Sequence, residues 1–323
     1  MAPTVQPLAS ILSRAKERCF VMEDIPWEQQ LETGKLFIPE IVTPLKHTPF
    51  YEKLTVEEQL TYNHYAAMAV SEQFCYLESE LLTKVIGALL RRDKKKLDGD
   101  LALAMEGFIE EEFLHTEVFR RLNRISWPEI YESADYYFLR PGVATGITNW
   151  LVRRWPHFLM GWVWMALALE EKTIAISREY ENKAESAVAD TDGLYRLIHR
   201  LHARDEVRHV QLDQHVLRYL YKGAPEWRKR FNTRLVARSL RSFTTPRLKS
   251  TRVNVLRETV KRHSRLKRWE HEMVAAITGL YTNDVYQSRV WGRSALPITF
   301  RLLDGVKDMD EVCAAFPSYK EME

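Results

Sequence analysis

Two stretches of the chain carry carboxylates and imidazoles at a spacing that suits metal binding. Glu112 and His115 are three residues apart, and so are Glu206 and His209. Each pair interrupts a stripe of mostly apolar residues that recur at alternating intervals of four and three, the period of one helix face. The first stripe is Leu101, Met105, Phe108, Glu112, His115 and Phe119; the second is Ile198, His202, Glu206, His209, Asp213 and Val216. A carboxylate on a buried face is costly unless it is paired or bound to a metal. The i, i+3 spacing lets the glutamate bridge two metals while the histidine terminates one of them. Two such helices, with one glutamate from each of two more, make the dinuclear carboxylate site of a helix bundle. His202, one turn before Glu206 on the same stripe, is a candidate third imidazole. Asp205 is placed to accept a hydrogen bond from a ligand histidine across the bundle, and Asp213 to close the same network.

Four long helices are needed to hold these residues. Thr55, followed by Glu57 and Glu58, is a good cap for a helix running to about Arg92. A second helix covers about Leu101 to Asn123. Trp155-Pro156 opens a third that reaches about Asn182, and Asp190 to Asp192 cap a fourth that ends at Lys222 before Gly223 and Pro225. The first helix offers Glu72 or Glu78 as its metal ligand, and the third offers Glu170 or Glu171; periodicity does not choose within either pair. Phe158, Trp162 and Trp164 make the third helix unusually aromatic, so they are candidates for lining a substrate pocket or for plain core.

Composition narrows the class. The 323 residues are 46% hydrophobic and 28% charged, with only 12 glycines and 13 prolines, which fits a helical globular chain and excludes a low-complexity one. Three scattered cysteines, Cys19, Cys75 and Cys313, build no disulfide framework, and a cytoplasmic setting is expected. The first twenty residues lack the apolar stretch of an export signal. The longest apolar run, Phe158 to Leu169, has 12 residues against the roughly 20 that cross a bilayer. Residues 1–54 hold Pro3, Pro7, Pro26, Pro39, Pro44 and Pro49, spaced so that no long helix fits among them. Between Lys222 and Arg268 there are 16 Lys and Arg against two acids, Glu226 and Glu258, so a basic segment is joined to an acidic body.

The motifs resemble those of a known family, the di-iron p-aminobenzoate N-oxygenases. Leu201-His202-Ala203-Arg204-Asp205-Glu206-Val207-Arg208-His209 is similar to that family's fourth-helix motif, third histidine included. Ser71-Glu72-Gln73 resembles the first-helix motif and Glu171-Lys172-Thr173-Ile174 the third, within a likeness covering roughly Ile38 to Lys222. The resemblance implies the metal ligands Glu72, Glu112, His115, Glu171, His202, Glu206 and His209; Asp205 and Asp213 stand behind them by their place on the helix. The chain as a whole is expected to be all-α, a ferritin-like four-helix bundle (55–222) with an extended N-terminal arm (1–54), additional N- and C-terminal helices, and a C-terminal helical extension (223–323), basic in its first half, packed on the bundle; the segment after Lys222 lies outside the resemblance. The resemblance also implies two iron ions, dioxygen as co-substrate and oxygen transfer to an amine nitrogen, giving hydroxylamine, nitroso or nitro products. Manganese would take the same ligands.

The expected partners are a small amine substrate, free or carrier-bound, and an acidic electron donor such as a ferredoxin that meets the basic segment. A homodimer is expected, and neither nucleic acid nor membrane. Two rivals stand beside this reading. One is a di-iron hydroxylase or desaturase acting on a C–H bond. The other is a metal-free helical interaction module using the basic segment, which would leave Glu112, Glu206 and their histidines buried without partners.

Overall fold

The computed structural model describes residues 5–182, 190–245, 248–306 and 309–320. Among them the chain forms helices and no β-strand, with one isolated parallel bridge between Leu36 and Thr191. In chain order the helices are α1 (Leu8–Arg18), α2 (Val56–Cys75), α3 (Thr83–Asp93), α4 (Gly99–Ser126), the one-turn α5 (Pro128–Tyr131), α6 (Val143–Arg154), α7 (Trp162–Glu181), α8 (Gly193–Tyr221), α9 (Glu226–Thr244), α10 (Thr251–Arg262), α11 (Glu270–Gly279), α12 (Asp284–Trp291), α13 (Pro297–Gly305) and the short α14 (Asp310–Cys313). None is long and apolar enough to cross a membrane.

Three of the long helices, α2, α4 and α8, begin where side chains satisfy free N–H groups of the first turn. Thr55 accepts from the Glu58 N–H while Glu58 accepts in return from the Thr55 N–H, closing a capping box on α2. Asp98 caps α4, and Asp192 caps α8 by accepting from Leu194 and Tyr195. Gly223, with φ of +70°, lets the chain turn away after α8. Between α2 and α3 the helix continues without a break but widens into a π-helix over Tyr76–Leu82.

The bundle consists of α2 with its π-helix and α3, together with α4, α7 and α8. Here α7 lies along α8, α2 and α3 along α4, and α4 along α8. Its apolar interior is two clusters rather than one. The first gathers Ile86, Met105, Phe108, Trp162, Trp164 and Val216 with side chains of α9, α12, α13 and α14. The second gathers Tyr62, Phe74, Phe119, Ile176 and Ile198 with the arm and with α10 and α11. The polar positions of α4 and α8 fall between the two.

The N-terminal arm differs from its expectation at one place. The prolines leave the stretch between Pro7 and Pro26 uninterrupted, and α1 fills part of it, packed on α4 and α8. Beyond it the arm is irregular, broken by short 3-10 turns such as Glu40–Val42 and Pro44–His47. Buried Asn63 of α2 pins it, accepting from Phe37 and Ile38 N–H and donating to the Ile38 carbonyl. The third bundle helix starts at Trp162, later than Trp155-Pro156 suggests. Asn232 of α9 explains the delay, since its Oδ1 accepts the Gly161 N–H at 2.8 Å and its Nδ2 donates to the Phe158 carbonyl. Within the basic segment, Pro246 and Arg247 lie outside the described residues.

The contact at Gly161 allows no side chain. A Cβ there would meet Val236 Cγ2 at 2.7 Å and the Asn232 carbonyl oxygen at 3.3 Å. Gly161→Ala should therefore cost about 2 kcal/mol by overpacking. Chemical denaturation measures it, and hydrogen exchange should show faster opening of α9 than of α4.

Candidate metal centre

The regular geometry of α4 and α8 turns Glu112, His115, His202, Glu206 and His209 toward one another in the layer between the apolar clusters. All five are buried. A sixth residue, Glu78, enters from the π-helix. Two overlapping groups have their donor atoms within 4.8 Å of one another: Glu78, His115, His202 and Glu206, and Glu112, His115, Glu206 and His209. His202 Nε2 lies 2.8 Å from Glu206 Oε1 and 3.2 Å from Glu78 Oε1. His209 Nδ1 lies 3.0 Å from Glu112 Oε1 and 3.4 Å from Glu206 Oε1, while His115 Nδ1 is 3.6 Å from the same Glu206 oxygen.

These close approaches are not hydrogen bonds. His115 Nδ1, His209 Nδ1, both His202 nitrogens and both Glu112 oxygens have no hydrogen-bond partner among the described residues. They aim at shared points rather than at each other, as ligand atoms do around a cation. The far nitrogens are held from behind. His115 Nε2 bonds to Asp205 at 3.3 Å and His209 Nε2 to Glu111 at 2.8 Å. Arg208 joins these two acceptors, with Nη2 at 2.9 Å from each carboxylate. Cys19, just past α1, donates to Glu111. Such outer carboxylates fix the ring orientation and tautomer of metal-binding histidines.

The electrostatics describe a cluster short of positive charge. Burial pushes the Glu78 carboxyl up, and neighbouring Glu112 adds to it. Glu170 is pushed well up by burial and by Asp213, and burial raises Asp213 to about 8. Burial should lower the three imidazoles, yet all three are raised: His115 to about 10 by Asp205 and Glu112, His202 by Glu206, and His209 by Glu206 and Glu112. Glu206 is driven low, against its burial, by His202 and His209. The acids thus favour the charged form of the imidazoles. A cation at the convergence point would offset the acids without those protons.

The family-model comparison matches residues 4–287 to the family described as P-aminobenzoate N-oxygenase AurF. The chain belongs to the p-aminobenzoate N-oxygenase family. No curated protein is similar enough to match it. Members of this p-aminobenzoate N-oxygenase family are di-iron enzymes, and the buried cluster of carboxylates and imidazoles fits such a centre by its donor chemistry.

Two residues that the N-oxygenase motifs brought forward in the sequence are elsewhere. Glu72 is buried, but its oxygens accept from the Tyr131 hydroxyl and from the Tyr137, Phe138 and Leu139 N–H groups at 2.5 to 3.1 Å, fastening the loop after α5. Glu171 points away from the cluster and accepts from the Ile298 and Thr299 N–H groups in the first turn of α13. Both carboxylates are already satisfied. Their alternatives, Glu78 and Glu170, are on the cluster side; neither Glu170 oxygen has a hydrogen-bond partner among the described residues, and its charge is felt by Asp213, Glu206, His209 and Glu112. Neither Asp213 oxygen has a hydrogen-bond partner among the described residues. Sequence reasoning missed Glu111 and Arg208, which lie off the apolar stripes. Their signal is position: Glu111 stands before Glu112 as Asp205 stands before Glu206. The third-helix aromatics do not reach the centre. Trp162 and Trp164 are core, bonded to the Pro156 carbonyl and the Tyr221 hydroxyl, and Phe158 is exposed against α9.

The exchange of glutamates can be read directly. Glu72→Gln should leave bound metal unchanged while lowering stability by about 2 kcal/mol, since it sets an amide against backbone donors. Glu78→Gln should do the reverse, losing metal with little change in the stability of the metal-free protein. Metal analysis and denaturation of both variants check the pair.

His199, one turn before His202, is fully buried against Tyr180 and Phe74, has no hydrogen-bond partner for either nitrogen among the described residues, and burial depresses it to about 3. Its folded pKa lies below the unfolded value of about 6.5. Its contribution to stability is therefore present above pH 6.5 and is lost as the pH falls toward 3. His199→Phe keeps the ring stack, and between pH 6.5 and 5 it should lose about 2 kcal/mol less stability than the wild type over the same interval, read by denaturation at the two pH values.

Proposed function

We propose that the protein is an oxygen-dependent di-iron monooxygenase that oxidises an amine nitrogen toward the hydroxylamine, nitroso or nitro level. The observation that carries this reading is a set of partnerless imidazole and carboxylate atoms converging on shared points, in a chain of the p-aminobenzoate N-oxygenase family. Two irons bound there would bind dioxygen and reduce it. Manganese would fit the same donors, so the metal must be identified by analysis.

The residues of the chain would act in three ways. Glu78, Glu112, His115, His202, Glu206 and His209 would hold the metal, with Glu206 and His115 common to both donor groups, and Glu170 stands beside them with both oxygens free of hydrogen-bond partners among the described residues. A third imidazole makes the centre richer in neutral nitrogen donors than the two-histidine bundle site. Asp205 and Glu111 hold the two outer rings so that Nδ1 faces inward, and Arg208 fixes both acceptors at once. Asp213, raised by burial, can hold a proton beside Glu170 at neutral pH. Aromatic rings exclude water: Phe108 lies 4.4 Å from the His209 ring, and Phe74 and Phe119 lie 5.2 and 4.9 Å from that of His202. Oxygen transfer to nitrogen is favoured as the outcome because the amine lone pair is itself the nucleophile and requires no separate base.

Reconstitution with ferrous iron should give close to two irons per chain, and Glu206→Ala or His115→Ala should lose most of it. The reconstituted enzyme should convert 4-aminobenzoate, taken as a probe amine, to N-oxidised products under oxygen. A folded protein that holds no transition metal after iron-replete preparation would overturn the reading. Oxidation confined to carbon across a panel of amines would replace it by the C–H hydroxylase.

A further inference from the structure

Helix α9 buries one side and leaves the other in water. Asn232, Val236, Ala237 and Leu240 face the fold. On the solvent side Trp227, Phe231 and Leu235 form one row at intervals of four, and Arg230, Arg234 and Arg238 form a second row beside it. Trp227 is 61% exposed. The apolar row continues onto the turn before α7, where the Phe158 ring meets Trp227 at 6.0 Å and Phe231 at 5.5 Å. Trp155 in the same stretch meets the exposed Trp150 of α6 at 5.9 Å and carries Arg154 over its face. Large side chains in a continuous water-facing belt mark an interaction site rather than scattered surface apolarity.

The charges choose the partner. The belt is edged by arginines: among the described residues Glu226 pairs with Lys229 at 2.7 Å and Glu311 meets Arg234 at 3.3 Å, while exposed Arg238 and Arg241 continue the basic edge along the helix. A second copy of the chain docked here about a twofold axis would set the arginine row against itself, which like-charge repulsion disfavours. The covering surface must be acidic with an apolar centre.

The proposed chemistry supplies a reason for such a partner. Conversion of R–NH2 and O2 to R–NHOH and H2O forms one N–O bond, breaks the O–O bond and consumes two electrons and two protons. The amine gives up two electrons, dioxygen takes four, and the remaining two must come from a donor. We propose that the solvent face of α9, extended by Phe158 and Trp155, docks an acidic one-electron carrier protein that supplies them. The proposal rests on the di-iron reading above. Asn232 ties this face to Gly161 at the start of α7, and Glu170 lies nine residues further along that helix, about 14 Å at 1.5 Å per residue. Buried Trp162 and Trp164 lie on the way.

Binding is measured without turnover, so that it does not depend on the metal. Wild-type protein, metal-free and iron-loaded, is titrated with two acidic probes, a plant-type [2Fe–2S] ferredoxin and a flavodoxin, at low ionic strength. The proposal expects saturable binding of at least one, weakened tenfold or more in the double variant Arg238→Glu with Arg241→Glu, with the difference shrinking in 0.5 M salt. Trp227→Ala with Phe231→Ala should weaken binding without steepening its salt dependence. Hydrogen peroxide-driven oxidation and thermal stability should be unchanged in both variants. Binding of neither probe by wild type, equal binding by the charge-reversed variant, or a preference for vesicles containing phosphatidylglycerol over both probes would overturn the proposal. Loss of peroxide-driven oxidation in wild type would count against the metal reading and leave the docking result to stand or fall on the titration.

Discussion

Placing acids inside a helix bundle is the constraint to which the rest of this structure answers. Glu78, Glu112, Glu170, Glu206 and Asp213 are all buried, and among the described residues the groups gathered with the clustered carboxylates that can carry positive charge are imidazoles. A layer of such carboxylates cannot be part of a continuous apolar core, because an unpaired buried carboxylate costs several kcal/mol. The bundle accordingly has one apolar cluster on each side of it. The C-terminal helices follow the same division: α9 and α12 to α14 complete one cluster while α10 and α11 complete the other. The arm and extension thus bring to each half of the bundle the apolar surface that the polar layer takes away.

Behind the donors, polar groups are paired almost as thoroughly as the donors themselves are not. Asp205, Glu111, Arg208 and Cys19 form a closed set of contacts that holds the outer nitrogens of two imidazoles. Glu72 and Glu171, by contrast, spend no charge on the centre and fasten a loop and a helix start. Buried glutamates in this protein therefore do two jobs that composition cannot tell apart. The distinction lies in whether backbone N–H groups meet the carboxylate.

That division explains what was legible in the sequence. Glu112, His115, His202, Glu206 and His209 lie on unbroken α-helix, where intervals of three and four report one face truthfully, and so the all-helical bundle and the clustering of these five side chains could be read from spacing. Thr55, Asp192 and Gly223 marked helix ends because their capping chemistry is local. Glu78 could not be picked out, since it lies where the helix widens and the period of 3.6 no longer holds. Glu170 and Glu171 are neighbours on a helix buried nearly all round, so no apolar stripe separates inward from outward. Motif likeness chose Glu72 and Glu171 because residue type was matched without the backbone partners that satisfy those two side chains.

The widened turn at Tyr76–Leu82 has a further consequence for how the chain can vary. A π-helix accommodates about one residue more than an α-helix of the same length, and such single-turn expansions cluster at functional sites. Shortening this segment by one residue would let the backbone relax into regular α-helix with its hydrogen bonds intact. The expansion absorbs that extra residue, so the helix on either side would keep nearly its present phase, and only the residues inside the segment would change the face they present. The segment is therefore a point of silent length variation: a chain altered there would keep an unbroken helix and a recognisable bundle, while the carboxylate of Glu78 would swing out of the layer it now completes.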